Sequence, residues 1–257
     1  MKAARAGLGL AALFAATYAV AQGTLETRRS GYQDMGPALR QMQDDDMANP
    51  GMLFVQLGAQ VWSKPAGASG KSCADCHGAP GSMKGVAARY PAIPPGADKP
   101  VDLEGRFNLC RTSRQRAEPW PAEDRDLLAL EALVAHQSRG EPIAPPADPR
   151  LAPFRGRGAE IYRRRQGQLN LSCAICHDDN AGKQLAGVVI PQAHPTGYPI
   201  YRLEWQGLGS LKRRLRNCLV GARAEAWPLD ALSYVELETY LMERARGLKM
   251  ESPAVRP

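Results

Sequence analysis

Two stretches decide how this chain is read: Ser72-Cys73-Ala74-Asp75-Cys76-His77 and Ser172-Cys173-Ala174-Ile175-Cys176-His177. Each carries a CxxCH motif, the attachment signature of c-type haem. Two thiols three residues apart on a turn add to the two vinyl groups of the porphyrin. The adjoining histidine is then held under the iron as its proximal ligand. Zinc or thiol-redox use of a CxxC, or two disulfides, would leave the two histidines in register without a reason. The motifs therefore predict two covalently bound haem c groups, on Cys73 and Cys76 and on Cys173 and Cys176, with His77 and His177 as iron ligands.

The motifs stand 100 residues apart, and so does the sequence before them: Gly58-Ala-Gln-Val-Trp62 precedes the first and Gly158-Ala-Glu-Ile-Tyr162 the second. Cys110 is followed by Ala117-Glu118-Pro119-Trp120, and Cys218 by Ala224-Glu225-Ala226-Trp227-Pro228. Each half then enters an apolar-periodic segment, about Ala122 to Arg139 and Leu229 to Arg246. Leu127, Leu130 and Val134 in one, and Leu237, Tyr240 and Leu241 in the other, have helical spacing. Both segments end in Arg-Gly, with glycine at a C-cap position. This is an internal duplication. The fold expected is mainly α: two tandem class I-like cytochrome c domains, each with a helix leading into its motif, a long loop over the haem and a C-terminal helix. Residues 51–140 form the first domain and 151–257 the second. The proline-rich stretch 141–150 reads as a stiff, extended linker. Residues 22–50 have no counterpart in the second half; polar and carrying Asp44-Asp45-Asp46, they suit a wrap over the surface or a partner.

The first residues carry Lys2 and Arg5, then an apolar run to about Ala21 that is shorter than the roughly 20 apolar residues needed to span a bilayer. Ala19-Val20-Ala21 fits a cleavage site, so residues 1–21 read as a signal peptide and the mature chain is expected in the periplasm, with no stable membrane insertion. The formal net charge of +7 falls to about +5 without Lys2 and Arg5. An exported, modestly basic chain is a poor fit for nucleic acid and a better one for a small anion or an acidic protein.

The ligand opposite each histidine decides what a haem does. The second half has no methionine between His177 and Met242, and Met242 falls within the last helix; in the first half Met83 lies only six residues after His77. His136 sits on the first C-terminal helix and His194 in a proline-rich loop. The duplication points instead to Cys110 and Cys218, at matching positions 33 and 41 residues past their histidines. They either form a disulfide across the two halves or each cap an iron as thiolate. Around Cys218 lie Lys212, Arg213, Arg214, Arg216 and Arg223, a field that lowers a thiol pKa and attracts an anion. A solvated basic helix face is the plainer reading of those cations taken alone.

These residues, with Asn108-Leu-Cys-Arg111, Lys84-Gly-Val-Ala-Ala-Arg-Tyr-Pro91, Ala135-His-Gln-Ser-Arg-Gly140 and Glu251-Ser-Pro-Ala-Val-Arg256, resemble the SoxA family over essentially the whole mature chain. Members are dihaem subunits of the SoxAX cytochrome, an L-cysteine S-thiosulfotransferase of bacterial sulfur oxidation. The resemblance implies that thiosulfate is joined oxidatively to a cysteine of a SoxYZ carrier protein, with two electrons leaving through haem to a c-type cytochrome acceptor. It implies a heterodimer with a SoxX-like monohaem cytochrome. It places the catalytic, persulfide-forming haem ligand on Cys218 and the active-site arginine on Arg214, and makes Cys110 the distal ligand of the first haem. Arg214 lies four residues before Cys218, on the same helix face, and Arg216 and Arg223 are further candidates for binding the substrate. The competing readings are a dihaem electron carrier without sulfur chemistry, a dihaem peroxidase and a purely structural haem subunit.

Overall fold

The computed structural model describes residues 27–257; the expected leader, residues 1–21, lies outside them. The helices among the described residues are α1 (Pro37–Asp44), α2 (Met52–Ser63), α3 (Ala74–His77), α4 (Leu103–Cys110), α5 (Arg125–His136), α6 (Ala152–Arg163), α7 (Cys173–His177), α8 (Leu211–Gly221) and α9 (Leu232–Arg244). Strands are few and short: β1 (Gln184–Leu185), β2 (Val188–Val189), β3 (Ile200–Arg202), β4 (Gly207–Gly209) and β5 (Ala254–Arg256). Helices α2 to α5 recur as α6 to α9.

Gly58 and Gly158 set the helix crossing in each half. A methyl group on Gly58 would sit 2.1 Å from the Ala129 carbonyl oxygen, and one on Gly158 2.0 Å from that of Glu236. The absent side chains let α2 press backbone-close onto α5, and α6 onto α9. Both C-terminal helices are shorter than their periodicity suggests. Asp124 caps α5, its Oδ1 accepting from the Asp126 and Leu127 amides at 2.8 and 3.2 Å. Past His136 the chain tightens into i to i+3 bonds (Ser138 to Ala135, Arg139 to His136) before Gly140 turns at φ 82°. Gly247 does the same after α9 at φ 86°.

The halves differ in one local feature. Trp120 lies ten positions after Cys110, but Trp227 only nine after Cys218. The extra residue is absorbed by a π turn, Arg111–Gln115, directly after Cys110.

The join is packed as well as extended. Ile143 is buried, and the 140–143 backbone exchanges hydrogen bonds with 247–250: Gly140 to Met250 and Ile143 to Leu248 at 2.8 Å, Met250 to Glu141 at 2.9 Å. Leu208, Met242, Ala245 and Met250 of the second half complete the apolar core built by α2 and α5, so one core spans both halves. Residues 27–49 wrap the second half. Arg28 donates to the Arg244 carbonyl at 2.8 Å, Arg29 N–H donates to Gln192 Oε1 at 2.8 Å, and Asn49 Nδ2 donates to the Pro253 carbonyl at 3.0 Å. β3 pairs with β4 antiparallel and with β5 parallel, which brings the C-terminal tail beside the loop that precedes α8.

Between the halves lies a buried polar cluster. Lys212 Nζ is 2.5 Å from Asp102 Oδ2 and 2.9 Å from Glu104 Oε2, all three side chains nearly excluded from solvent. Glu131 and Glu238, matching positions of α5 and α9, line the same small cavity. Burial pushes both their carboxyls well above the ordinary range, and neighbouring carboxylates push the same way.

Candidate active site

Helix α8 carries the sequence Leu-Lys-Arg-Arg-Leu-Arg-Asn-Cys-Leu-Val-Gly, with Leu211 and Leu219 buried and most charges on other faces. Ser210 starts it, its Oγ accepting from the Arg213 amide at 3.1 Å. One turn separates Arg214 from Cys218, and both line a largely apolar cavity of about 380 Å³ with Cys173, Cys176, His177, Leu215, Leu237 and Leu241. On the facing wall Ser172 caps α7, its Oγ accepting from the Ile175 amide at 3.3 Å. The His177 Nδ1 faces the Pro191 carbonyl at 2.7 Å, which makes Nδ1 the donor and leaves Nε2 with its lone pair free. His177 and Cys218 meet within hydrogen-bonding reach.

Burial pushes the Cys218 thiol up. The contact with His177, together with Arg214 and Arg202, outweighs it, and the thiol lies below its ordinary pKa. Cys173 goes the other way, pushed up to about 11 by burial first and then by Cys218. All six cysteines are unpaired, so Cys110 and Cys218 are not joined to each other.

The cations around Cys218 separate into different surroundings. Arg214 lines the cavity and has no hydrogen bond or ion pair from its guanidinium to protein among the described residues. Lys212 points away, into the buried cluster with Asp102 and Glu104. Arg213 lies over the Trp205 ring at 4.2 Å and 3.7 Å from Glu123. Arg216 and Arg223 are exposed and do not line the cavity. Two arginines that helix spacing could not reveal do line it: Arg202 on β3 and Arg256 on β5. They are adjacent only because the two strands pair in register, Arg202 with Arg256.

In the first half Cys73 lines a smaller cavity of about 250 Å³ with Val61, Arg111, Gln115 and Trp120. Arg111 lies 3.6 Å from the Trp120 ring centroid, and the Asn108 amide clamps the Trp120 backbone with two 2.9 Å bonds. His77 packs near Trp62, ring centroids 5.8 Å apart. Burial raises the Cys73 thiol first, and Cys110 is near enough to raise it further. Neither His136 nor His194 lines either cavity: His194 Nδ1 faces the Arg29 carbonyl at 2.8 Å, and Met83 packs on the core.

The residues present fit a covalently attached haem in each half. The CxxCH thiols are free, each histidine is on the turn that carries them, and in the second half an apolar wall faces His177. The arrangement defines a duplicated c-type cytochrome. A family model described as SoxA/TsdA, cytochrome c domain, matches residues 57–143 and again 157–250. The chain belongs to this family. It is 38% identical over 229 residues to the L-cysteine S-thiosulfotransferase subunit SoxA of Pseudaminobacter salicylatoxidans, covering 88% of this chain and 80% of the relative. It is 35% identical over 233 residues to the subunit of the same name from Paracoccus pantotrophus, covering 91% and 80%. The crystal structure of SoxXA from P. pantotrophus superposes with a TM-score of 0.86 at 34% identity, covering 90% of this chain and 87% of that one.

Proposed function

We propose that this chain is the catalytic dihaem subunit of an L-cysteine S-thiosulfotransferase. It acts in the periplasm with a SoxX-like monohaem cytochrome and takes the cysteine of a SoxYZ-like carrier protein as its substrate. The observation that carries this is the meeting of Cys218 and His177 across an apolar cavity, with Arg214 one turn away and free of protein acceptors. An electron carrier would need a methionine or second histidine there, and neither side chain lines the cavity.

The overall reaction joins the sulfane sulfur of thiosulfate to the carrier sulfur. The carrier S–H breaks, an S–S bond forms, and one proton and two electrons leave. Haem, when bound on Cys173, Cys176 and His177, supplies the route by which those electrons pass to a c-type cytochrome acceptor. The chain's own residues do the rest. Arg214 holds the anion by charge-assisted hydrogen bonds. Cys218 presents a sulfur whose protonated form is disfavoured by its neighbours. The Pro191 carbonyl fixes the His177 tautomer, and the Leu215, Leu237 and Leu241 wall excludes water. Cys73, Cys76, His77 and Cys110 would hold the first haem in the same manner.

The test is thiosulfate-dependent reduction of an acceptor cytochrome by the haem-loaded heterodimer with carrier protein present, beside an absorption and EPR spectrum. Low-spin haem with thiolate ligation and thiosulfate-dependent reduction are expected. A pure histidine–methionine signature, or no response to thiosulfate, overturns the reading.

A further inference from the structure

Of the three arginines lining the Cys218 cavity, only Arg256 is satisfied by the protein. Its Nη1 donates to Gln43 Oε1 at 2.5 Å and to the Val255 carbonyl at 2.8 Å, and its Nη2 to Glu251 Oε2 at 3.1 Å. Arg202 is different. It is 9% exposed, and its Nε is buried without a hydrogen bond. Glu204 Oε1 stands 2.8 Å from that nitrogen as an ion pair, and the Glu204 side chain is half exposed. Among the described residues no protein group accepts from the remaining Arg202 donors. A buried guanidinium whose acid partner is half exposed is incompletely compensated, and Arg214, without a protein acceptor among the described residues, is near enough to add like-charge repulsion.

Arg202 is nonetheless held in place. It sits on the central strand β3, opposite Gly207 and Arg256, with its guanidinium 5.3 Å from the Trp205 ring centroid. Two guanidinium groups beside one thiol, each with donors that no protein group accepts from among the described residues, make a site for an oxyanion, because a planar fork binds paired oxygens bidentately.

The duplication shows that this is a feature of the second half alone. The β3–β4 pair Ile200–Gly209 matches the bridge Ala92–Val101 in the first half. By that register Arg214 corresponds to Arg106, four residues before Cys110, but Arg202 corresponds to Pro94. At these two aligned positions the first half has one arginine, Arg106, and the second has two.

We propose that Arg202 is a second oxyanion-binding residue: with Arg214 it forms a paired-guanidinium pocket that holds the sulfonate end of thiosulfate beside Cys218. This rests on the function proposed above. A carboxylate of the haem is the other anion with suitable chemistry, and the experiment separates the two. In the haem-loaded heterodimer, Arg202→Gln is compared with wild type for kcat and KM for thiosulfate, inhibition by sulfate, and the haem midpoint potential. Loss of a charge-assisted contact should raise KM about tenfold or more with a smaller change in kcat, and weaken sulfate inhibition in parallel. The potential should stay at its wild-type value. An unchanged KM overturns the proposal, and an unchanged KM with a shifted potential assigns Arg202 to the haem carboxylate. If Arg202→Gln fails to retain haem, Arg202→Lys decides. A lysine cannot reproduce the fork, so a raised KM supports the pocket and a wild-type KM overturns it. Absence of thiosulfate turnover in the wild type sinks the function itself, whereas an active wild type with an insensitive Arg202 sinks only this inference.

Discussion

Replacing Lys212 by methionine should destabilise the protein far more at pH 8 than at pH 5, although Lys212 lies within the basic run around Cys218. The ammonium is 2.5 Å from Asp102 and 2.9 Å from Glu104, with 12%, 6% and 5% of the three side chains exposed. Removing one member of a buried ion group typically costs about 3–5 kcal/mol, because its partners keep their charge without compensation. Glu104 can escape part of that cost by taking a proton. Burial, resisted by Lys212, already pushes its carboxyl up to about 7 from an unfolded value near 4.5. A carboxyl whose folded pKa is raised binds its proton more tightly when folded. Its penalty is therefore absent below about pH 4.5 and grows to a plateau above pH 7, about 3 kcal/mol at 1.4 kcal/mol per pH unit. Without Lys212 the folded pKa rises further. At pH 5 the variant then bears only the cost of unpaired Asp102, and at pH 8 also that of protonating Glu104 or burying its charge. For a chain of this size 1 kcal/mol shifts Tm by about 2–4 °C, so a fall of roughly 10 °C at pH 8 and about half that at pH 5 is expected. Thermal melts followed by far-UV circular dichroism at the two pH values measure it. Adding Glu104→Gln should recover part of the loss at pH 8. Equal shifts at both pH values, or less than about 3 °C at pH 8, would refute the reasoning.

Cys218→Ala should abolish thiosulfate-dependent acceptor reduction, while Cys110→Ala should keep it and alter the absorption spectrum of one haem; activity surviving in Cys218→Ala rules out that sulfur as the reacting one. Arg214→Gln should lower kcat/KM for thiosulfate about a hundredfold, and the exposed Arg216→Gln and Arg223→Gln by no more than about threefold; equal losses at all three would mean the helix acts as a diffuse basic patch. Gly158→Ala places a methyl group 2.0 Å from the Glu236 carbonyl and should cost about 1–3 kcal/mol or more by forcing α6 from α9, read as a lower Tm. Ser172→Ala removes the α7 cap and should cost about 1 kcal/mol, and a Tm indistinguishable from wild type would show that haem attachment alone holds that turn.

The fold was largely legible because it is local and repeated. CxxCH is a covalent requirement written in five consecutive residues, and the 100-residue offset shows in Gly58 and Gly158 because each meets a backbone carbonyl that no side chain could approach. What the sequence hid is what depends on distant chain segments meeting. Lys212 reads as one more cation beside Cys218, yet its acid partners come from the other half of the chain, 110 and 108 positions earlier. The wrap of residues 27–49 is set by single hydrogen bonds to Gln192, Arg244 and Pro253, which carry no periodic signal. Arg202 lies sixteen residues before Cys218, on a three-residue strand too short to predict, and reaches the site by sheet register. The one available signal was the repeat itself, since aligning the halves on Cys110 and Cys218 sets Arg202 against Pro94.

That alignment changes the account of why the proposed chemistry falls to one half and not the other. By sequence the difference is a cluster of four cations on α8 against a single arginine on α4. In three dimensions most of that cluster is committed elsewhere: Lys212 binds the two halves together, Arg213 packs on Trp205, and Arg216 faces solvent. Arg214 has an equivalent in Arg106, so it does not distinguish the halves either. Two features remain. The first half carries an extra residue after its cysteine, taken up as a π turn, and puts Pro94 where the second half puts a buried guanidinium. Either would follow from relaxed demands on a haem that only has to be held. If so, grafting arginine at Pro94 should not confer thiosulfate chemistry on the first half. The π turn displaces the residues after Cys110 by one position, and the smaller cavity there is lined by Arg111 stacked on Trp120. Pro94→Arg in a Cys218→Ala background tests this by thiosulfate-dependent acceptor reduction. Restored turnover would show that a second guanidinium is sufficient and that the cavity's shape is not.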